Sequence, residues 1–459
     1  MNAAIQLSFL EGSENANVIV ESAGYGSKRE DLGTFKDSLR APVHRWFTYP
    51  AGFSYKAVEE AFRMYDIKPG MIVYDPFGGT ATTNIVASQQ GIHSYGIEAH
   101  PFIHFVGRTK LFWNFAPAEM LRQIDALVEN IKVSLRECNI SAINVETIFP
   151  ELVYKCYSGE KLAYLYICRE VIRFLPPSPF QDFAKLGLTS LLRTLADVQT
   201  GWPYIAPKKE RRTAAEKGNV DVVEKLRDQL YQMYSDIQEI RRDSRFIGDA
   251  HFIFGDSRCR QGSIESASVD IVFTSPPYLN NYDYSDRTRL EMYFWGEAKS
   301  WGDITQKVRS RLIMSATTQV LRSEYVEGKL LRADFIDSVP AIATELQAKI
   351  ADLTQRRLQK GGKKSYDIMV AGYFNDMLNV FRETFRVLKP GGSFLLILGD
   401  SAPYGVHIPT DIYLGEVGKA VGFARYKVED LRTRDDKWKD NPQRHKVALK
   451  ESMLILEKE

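Results

Sequence analysis

Apolar residues recur along this chain with two different spacings, which predict where strands and helices lie. Short apolar runs bounded by turn residues predict buried strands at 71–75, 94–98, 251–258, 271–273 and 393–398. Apolar residues three and four positions apart predict amphipathic helices, most clearly at 366–388 and 410–422. Strands and helices that alternate in this way predict an α/β fold built on a doubly wound, mostly parallel sheet.

Two long segments interrupt the alternation. Residues 106–248 have the helical spacing of apolar residues and are interpreted as a helical insertion, and residues 296–365 as a basic helical insertion. The polar, glycine-containing residues 1–43 are interpreted as an N-terminal arm. The sheet is therefore predicted to be assembled from three parts of the chain, residues 44–105, 249–295 and 366–459.

The residues that follow the apolar run at 271–273 have the most specific chemistry. They read Ser275-Pro276-Pro277-Tyr278, and because neither proline has an N–H group, the chain must leave the sheet there. Ligands of open α/β sheets bind at the carboxyl ends of strands. The Ser275 hydroxyl and the Pro276 carbonyl suit an amino group on an aromatic ring, which has two hydrogens to donate, and Tyr278 would stack on that ring. The alternative is a proline-rich turn with a structural tyrosine.

A second candidate site is a turn between a predicted strand and a predicted helix, the layout in which backbone N–H groups meet a polar or anionic ligand. Glu98 ends the next predicted strand, where an acid is suited to accept hydrogen bonds from ribose hydroxyls. Together these features indicate a nucleoside-containing cofactor, and a plain structural turn is the alternative. The residues of this turn are Asp75, Pro76, Phe77, Gly78, Gly79, Thr80, Ala81, Thr82 and Thr83.

Three further polar groups are candidates for binding. Asp256, beside Ser257 at the end of the strand at 251–258, is placed to accept a hydrogen bond from an adenine amino group, or alternatively to cap the following segment. The basic cluster at 208–212 is interpreted as a solvated loop. The run at 355–364 is predicted to form a flexible basic loop, for which phosphate contacts and a solvated tip are equal alternatives. Other cations precede it, namely Arg287, Arg289, Lys307, Arg309, Arg311 and Arg322.

Composition limits the remaining classes of function. The net charge of +2 means that any surface for nucleic acid must be a local patch. The four cysteines are scattered without a C-x-x-C pair, which argues against a zinc site or disulfides and fits a reducing cytosol. No run of eighteen apolar residues and no signal-peptide pattern occur, so the chain is predicted to be cytoplasmic, without a membrane or a metal ion as partner.

The motifs together resemble those of the S-adenosylmethionine-dependent DNA amino-methyltransferases. Residues 75–83 are similar to the cofactor loop of that family and Thr274-Ser275-Pro276-Pro277-Tyr278 to its catalytic loop, with support from Glu98 and from residues 255–257, 389–392 and 451–458. The likeness covers 44–105, 249–295 and 366–459. The cofactor loop precedes the catalytic loop, unlike the order in many Ser-Pro-Pro-Tyr enzymes, and residues 49–54 resemble the helix-entry motif of unpermuted members. Ala81 stands where the family usually has glycine, which a helical backbone at that position would tolerate.

The resemblance implies a class I methyltransferase that moves a methyl group from S-adenosylmethionine to the N4 amino group of cytosine in duplex DNA, in a restriction-modification or defence setting with a cognate restriction endonuclease as a candidate partner. Serine at the first catalytic position is usual for cytosine N4 enzymes, whereas asparagine or aspartate is usual for adenine N6 enzymes. The turn at 75–83 would hold the methionine end, Glu98 the ribose, and Asp256 the adenine. Adenine N6 methylation, methylation of an RNA base or a protein glutamine, and a non-catalytic cofactor-binding module of a DNA-recognition complex are the alternatives.

Overall fold

The centre of the molecule is one eight-stranded sheet. The computed structural model describes residues 19–21, 37–49, 53–201, 204–208, 221–243, 247–326, 329–434 and 447–459. The strand order is β1-β7-β8-β6-β5-β2-β3-β4, and all neighbours are parallel except those of β8. The strands are β1 Ile19–Glu21, β2 Ile72–Asp75, β3 His93–Glu98, β4 Ala250–Phe254, β5 Val269–Thr274, β6 Leu388–Gly399, β7 Arg425–Arg434 and β8 Leu449–Glu457.

Successive side chains of the central strands point to opposite faces of the sheet, and helices cover both faces. Val73 and Phe273 belong to the core on one face, where the helices Tyr55–Met64 and Thr82–Gln89 pack. Tyr74 and Val272 belong to the core on the other face, under the helices Tyr366–Val387 and Thr410–Val421. A sheet buried on both faces explains why these strands read as continuous apolar runs. The predicted doubly wound α/β fold is confirmed.

The chain reverses its direction of travel across the sheet between β2 and β5. From β2 it proceeds outward through β3 to the edge strand β4, and then returns to place β5 on the other side of β2. The two strands pair in register, with Val73 beside Ile271 and Tyr74 beside Val272. In open α/β sheets, the carboxyl ends of two such strands flank the crevice in which ligands bind.

The first insertion is mostly helical, as its apolar spacing predicts, and has a hydrophobic core separate from the two cores against the sheet. The helix Arg289–Trp295, which follows Pro276 and Pro277 in the sequence, contributes Leu290 and Phe294 to that core. The helices of residues 101–243 are Pro101–Lys110, Pro117–Glu137, Val145–Ile148, Glu151–Tyr154, Gly159–Arg173, Pro179–Leu195 and Val222–Asp243.

The second insertion differs from its prediction in one respect. Residues 355–359 do not belong to a loop, because the buried Leu346, Ile350 and Leu353 continue the helical spacing and the helix Pro340–Gln359 includes them. Arg356 and Arg357 are bound to Asp352 and Asp367. Only residues 360–365 connect this helix to Tyr366–Val387. The remaining helices after β5 are Tyr284–Arg287, Trp301–Lys307 and Ala333–Ser338.

Several cations of this region bind carboxylates of the protein itself. Arg287 is 3% exposed and forms an ion pair with Glu291, so it does not face solvent. Arg289 and Arg309 pair with Asp286 and Asp283 in the same way, and their guanidinium carbons lie 4.0 and 4.5 Å from the centroid of the Trp301 ring. These three arginines therefore serve contacts inside the protein.

Some predictions concern residues that the structure does not describe. Most of the arm at 1–43 is among them, apart from β1 and residues 37–43, and so are residues 209–212 of the basic cluster and residues 50–52 of the helix-entry motif. No helix of the described residues is long and apolar enough to span a membrane.

Candidate active site

The two loops singled out in the sequence lie side by side at the carboxyl ends of β2 and β5. We refer to residues 75–83 as the glycine turn and to residues 274–278 as the Pro-Pro loop. The hydroxyl of Thr274 donates a 2.5 Å hydrogen bond to Oδ1 of Asp75, and both side chains are buried. One cleft is lined by both loops, by Glu98 and by Asp256 and Ser257. The predicted site residues line this cleft with five exceptions, which are Asp75, Ala81, Thr83, Pro276 and Tyr278.

The backbone of the glycine turn is left-handed at two positions. Gly79 has φ +54° and Ala81 has φ 68° and ψ 32°, immediately before the helix Thr82–Gln89. The helical backbone that would tolerate alanine at position 81 is therefore absent, because Ala81 precedes the first helical residue and has a left-handed conformation. The N–H groups of Gly78 and Ala81 are bound to Ile97 and to the Gly78 carbonyl.

The aromatic ring of Phe252 packs against the glycine turn. A Cβ atom placed on Gly78, Gly96 or Gly107 would lie 2.5–2.6 Å from atoms of the Phe252 ring. Gly78 belongs to the glycine turn, Gly96 to β3 and Gly107 to the helix Pro101–Lys110. The Phe252 ring occupies the space that side chains at these three positions would fill. His104 stacks on Phe252 with a centroid distance of 5.5 Å. The position of the turn thus depends on close packing that only glycine permits.

Glu98 is a half-buried acid whose carboxylate receives backbone hydrogen bonds. Its Oε2 accepts from the N–H of Gly79 at 2.9 Å, and its Oε1 accepts from the N–H of His100 at 2.7 Å. Desolvation raises the pKa of Glu98 to about 8, although these hydrogen bonds favour the charged form. The side chain therefore fixes the glycine turn and presents its carboxyl group to the cleft.

Asp75 lies behind the cleft and joins the two loops. Besides the Thr274 hydroxyl, it accepts a hydrogen bond from the N–H of Phe77 at 3.0 Å. Burial raises the pKa of Asp75 to about 6, against the opposing effect of the Thr274 hydrogen bond. Its side chain positions residues on both sides of the cleft, although it does not line the cleft itself.

Asp256 and Ser257 reach the cleft from the segment after β4. Asp256 forms an ion pair with Arg258 and also accepts a hydrogen bond from the Arg258 N–H group at 2.9 Å, so part of its hydrogen-bonding capacity is used locally. The Ser257 hydroxyl donates to the carbonyl of Pro76, which ties this segment to the glycine turn.

The residues of the Pro-Pro loop are divided between two environments. Ser275 and Pro277 line the cleft, whereas Pro276 is buried. The Tyr278 hydroxyl donates a 2.8 Å hydrogen bond to Oε1 of Glu451, whose Oε2 accepts from Arg432. Tyr278 thus lies on the far side of the loop from Glu98, held by two residues of the terminal strands.

Sequence reasoning did not select several residues of the cleft. Tyr49 and Phe53 line it, and they belong to residues 49–54, whose resemblance to a helix-entry motif was a usable signal. Tyr284 also lines it, with its ring 6.2 Å from that of Tyr49. Arg311, Leu312 and Ile313 reach the cleft from the second insertion, and no local pattern marks them.

The chemistry of this cleft fits a charged nucleoside such as S-adenosylmethionine. Glu98 offers an acceptor for ribose hydroxyls, and the aromatic and aliphatic residues Phe53 and Ile97 offer apolar surface for an adenine ring. The start of the helix Thr82–Gln89 adds the partial positive charge that favours a carboxylate. These residues fit the group that the resemblance implies.

Comparison with known proteins supports a methyltransferase. The chain is 25% identical to type II methyltransferase M.BsoBI of Geobacillus stearothermophilus over 96% of its own length and 90% of that protein. It is 26% identical to type II methyltransferase M.AvaI of Anabaena variabilis over 87% of its own length and 83% of that protein. It is 20% identical to type II methyltransferase M.MvaI of Kocuria varians over 87% of its own length and 85% of that protein. No family model matches the chain. The fold, the cleft and these similarities together support an enzyme of the methyltransferase class.

Proposed function

We propose that this chain transfers a methyl group from S-adenosylmethionine to the N4 amino group of cytosine in duplex DNA. The observation that carries the proposal is the shared cleft, in which the Thr274–Asp75 hydrogen bond joins the Pro-Pro loop to the glycine turn. The name shared by the relatives, type II methyltransferase, supports the class of reaction and favours a role beside a restriction endonuclease. Serine at position 275 supports cytosine over adenine through the family resemblance.

The residues of the glycine turn and of β3 would bind the cofactor. Glu98 accepts hydrogen bonds from the ribose hydroxyls, Asp256 accepts one from the adenine amino group, and the N–H groups at the start of the helix Thr82–Gln89 face the methionine carboxylate. When bound, the cofactor supplies a methyl group on a sulfonium, which is already a good electrophile. The protein therefore needs no covalent intermediate, and its contribution is to position the two reactants.

The Pro-Pro loop would bind the target base. The Ser275 hydroxyl and the Pro276 carbonyl accept the two hydrogens of the amino group, which localises the nitrogen lone pair toward the cleft. The ring of Tyr278 stacks on the extruded base, and its bond to Glu451 fixes the ring in orientation. As the nitrogen forms its bond to the methyl carbon, the carbon–sulfur bond breaks, and the nitrogen then releases one proton to water.

Incubation with methyl-labelled S-adenosylmethionine and bacterial duplex DNA, followed by digestion to nucleosides and mass spectrometry, tests this proposal. We expect the label in N4-methylcytosine, its loss in Ser275→Ala, and its retention in the matched variant Ser263→Ala, whose side chain is exposed outside the cleft. Label in N6-methyladenine would show that the target base is adenine and not cytosine. Label in RNA or protein alone, or in no product, would overturn the proposal.

A further inference from the structure

A second cleft opens on the other side of the Pro-Pro loop. Leu279, Asn280 and Asn281, directly after Tyr278, are among the residues that line it, and so are Lys360 and Lys364 of the second insertion. The turn after β6, residues 400–405, completes it. This cleft lies at the carboxyl ends of β5 and β6, on the same edge of the sheet as the proposed cofactor cleft.

The two lysines are exposed and carry charge that no acidic group of the described residues neutralises by an ion pair. Lys360 Nζ lies 4.8 Å from the centroid of the Tyr404 ring, and Lys364 Nζ lies 5.9 Å from that of Tyr366. They differ in this respect from Arg287, Arg289 and Arg309, which bind carboxylates inside the protein. A cation that contacts only an aromatic face retains hydrogens to donate to an anion.

The segment that carries the lysines is held in one conformation. Arg322 donates to the carbonyls of Gly362 and Lys363 and to the hydroxyl of Ser365. Gly361 and Gly362 have φ +77° and +72°, and a Cβ atom on either would meet nothing within 4 Å, so they form a tight turn against open space. The backbone that carries the two lysines therefore loses little conformational entropy when they meet a ligand.

The floor of the cleft contains a strained residue. Tyr404 has φ 50° and ψ 22°, a conformation that is uncommon for residues other than glycine, and its carbonyl accepts a 2.8 Å hydrogen bond from Arg356. Strain of this kind clusters at ligand-binding sites. The acid in the cleft, Asp400, is 3% exposed and is held by hydrogen bonds with His407 and with the N–H of Lys450, so its carboxylate does not project into the cleft as a free group.

We propose that this second cleft binds the phosphodiester backbone of the DNA strand that carries the target base, with Lys360 and Lys364 contacting its phosphates. The inference rests on the proposed function, since it requires a DNA substrate. It is favoured by position, because the cleft begins at the residue after Tyr278, and by charge, because two lysines without an ion pair among the described residues line it. In this proposal, a base extruded to the Pro-Pro loop has its own phosphates on the side of the second cleft.

The test compares the double variant Lys360→Gln/Lys364→Gln with the wild type by fluorescence anisotropy of a labelled duplex at several salt concentrations. Each lost phosphate contact lowers the slope of log K against log salt by about 0.9, so we expect a slope smaller by about 2. The dissociation constant for DNA should rise about tenfold or more near 0.1 M salt. The affinity for S-adenosylmethionine, measured by calorimetry, should not change, because neither lysine lines the first cleft.

A matched control removes the same charge at the opposite edge of the sheet. Lys68 precedes β2 and Lys419 precedes β7, and both are exposed at the amino ends of these parallel strands. Lys68→Gln/Lys419→Gln should keep the wild-type slope. If the wild type methylates DNA but the Lys360/Lys364 variant keeps the wild-type slope, the inference is overturned and the proposed function is not. An equal loss of slope in the control would also overturn the inference, whereas a wild type that binds DNA but methylates nothing contradicts the proposed function.

Discussion

At the scale of single residues, Glu98 should make cofactor binding depend on pH. Its pKa of about 8 in the free protein means that at lower pH the carboxyl group must lose a proton before it accepts ribose hydrogen bonds. We expect the dissociation constant of S-adenosylmethionine to rise as pH falls below about 8, by up to tenfold per pH unit, and to level off above it. Calorimetry from about pH 6 to about pH 9 measures this dependence.

Glu98→Gln is the control for that titration. The cofactor's own amino group also titrates near pH 8, but it does so equally with both proteins, so the difference between their profiles reports Glu98. The variant should bind S-adenosylmethionine more weakly than the wild type at high pH. Its dissociation constant should lack the part of the pH dependence that Glu98 causes. Parallel profiles for the two proteins would show that Glu98 does not titrate on binding.

Ala81 is a residue at which the sequence conflicts with its backbone. A left-handed conformation costs an L-residue about 1–2 kcal/mol, which offsets the greater flexibility of glycine and the loss of the buried Ala81 methyl group, so Ala81→Gly should change the free energy of unfolding by less than about 1 kcal/mol. Ala87→Gly, inside the helix that Ala81 precedes, should lower it by about 1 kcal/mol or more. Denaturant titrations measure both changes, and destabilisation of equal size in the two variants would contradict the assignment.

At the scale of elements, the packing of Phe252 against three glycines should make the glycine turn intolerant of small substitutions. A Cβ atom on Gly107 would lie 2.5 Å from the Phe252 ring and 3.3 Å from the carbonyl of Gly79, so Gly107→Ala should destabilise the protein by about 1–3 kcal/mol. The cofactor affinity should also fall, because Gly79 belongs to the turn. Gly159→Ala, which meets nothing within 4 Å at the start of another helix, should be nearly neutral. Thermal unfolding with and without cofactor distinguishes them.

The strands and the two loops could be predicted because their signals are local. Apolar runs gave β2, β3, β5 and β6, and two prolines without N–H groups gave the end of β5. The partners of these elements are distant in sequence. Tyr278 binds Glu451 across 173 positions, and Phe252 packs under a turn that lies more than 170 positions earlier. The entry of residues 311–313 into the cleft likewise follows from how the second insertion packs. The domain boundaries and the roles of the site residues stay predictions.

At the scale of the whole molecule, the helical insertion holds the segment that leads into the cofactor cleft. Asp236, on the helix Val222–Asp243, is fully buried and accepts hydrogen bonds from the N–H of Val43, from Arg45 and from the indole of Trp46. Val43 has φ 64°, so the segment is strained where Asp236 holds it. Three residues beyond Trp46 the chain reaches Tyr49, which lines the cleft. We therefore expect the first insertion to influence cofactor binding through this one carboxylate.

Asp236→Asn tests this coupling, because the amide keeps the size of the side chain but removes the charge that pairs with Arg45 and replaces one acceptor oxygen by a donor. Loss of charge-assisted hydrogen bonds should cost about 1.5–3 kcal/mol of stability. The dissociation constant of S-adenosylmethionine should rise several-fold although no residue of the cleft has changed. Asp228→Asn, at an exposed position of the same helix, should leave both quantities unaltered. If Asp236→Asn lowers stability while cofactor affinity stays at the wild-type value, the insertion and the cleft are energetically independent, and Asp236 serves only the packing of the helices.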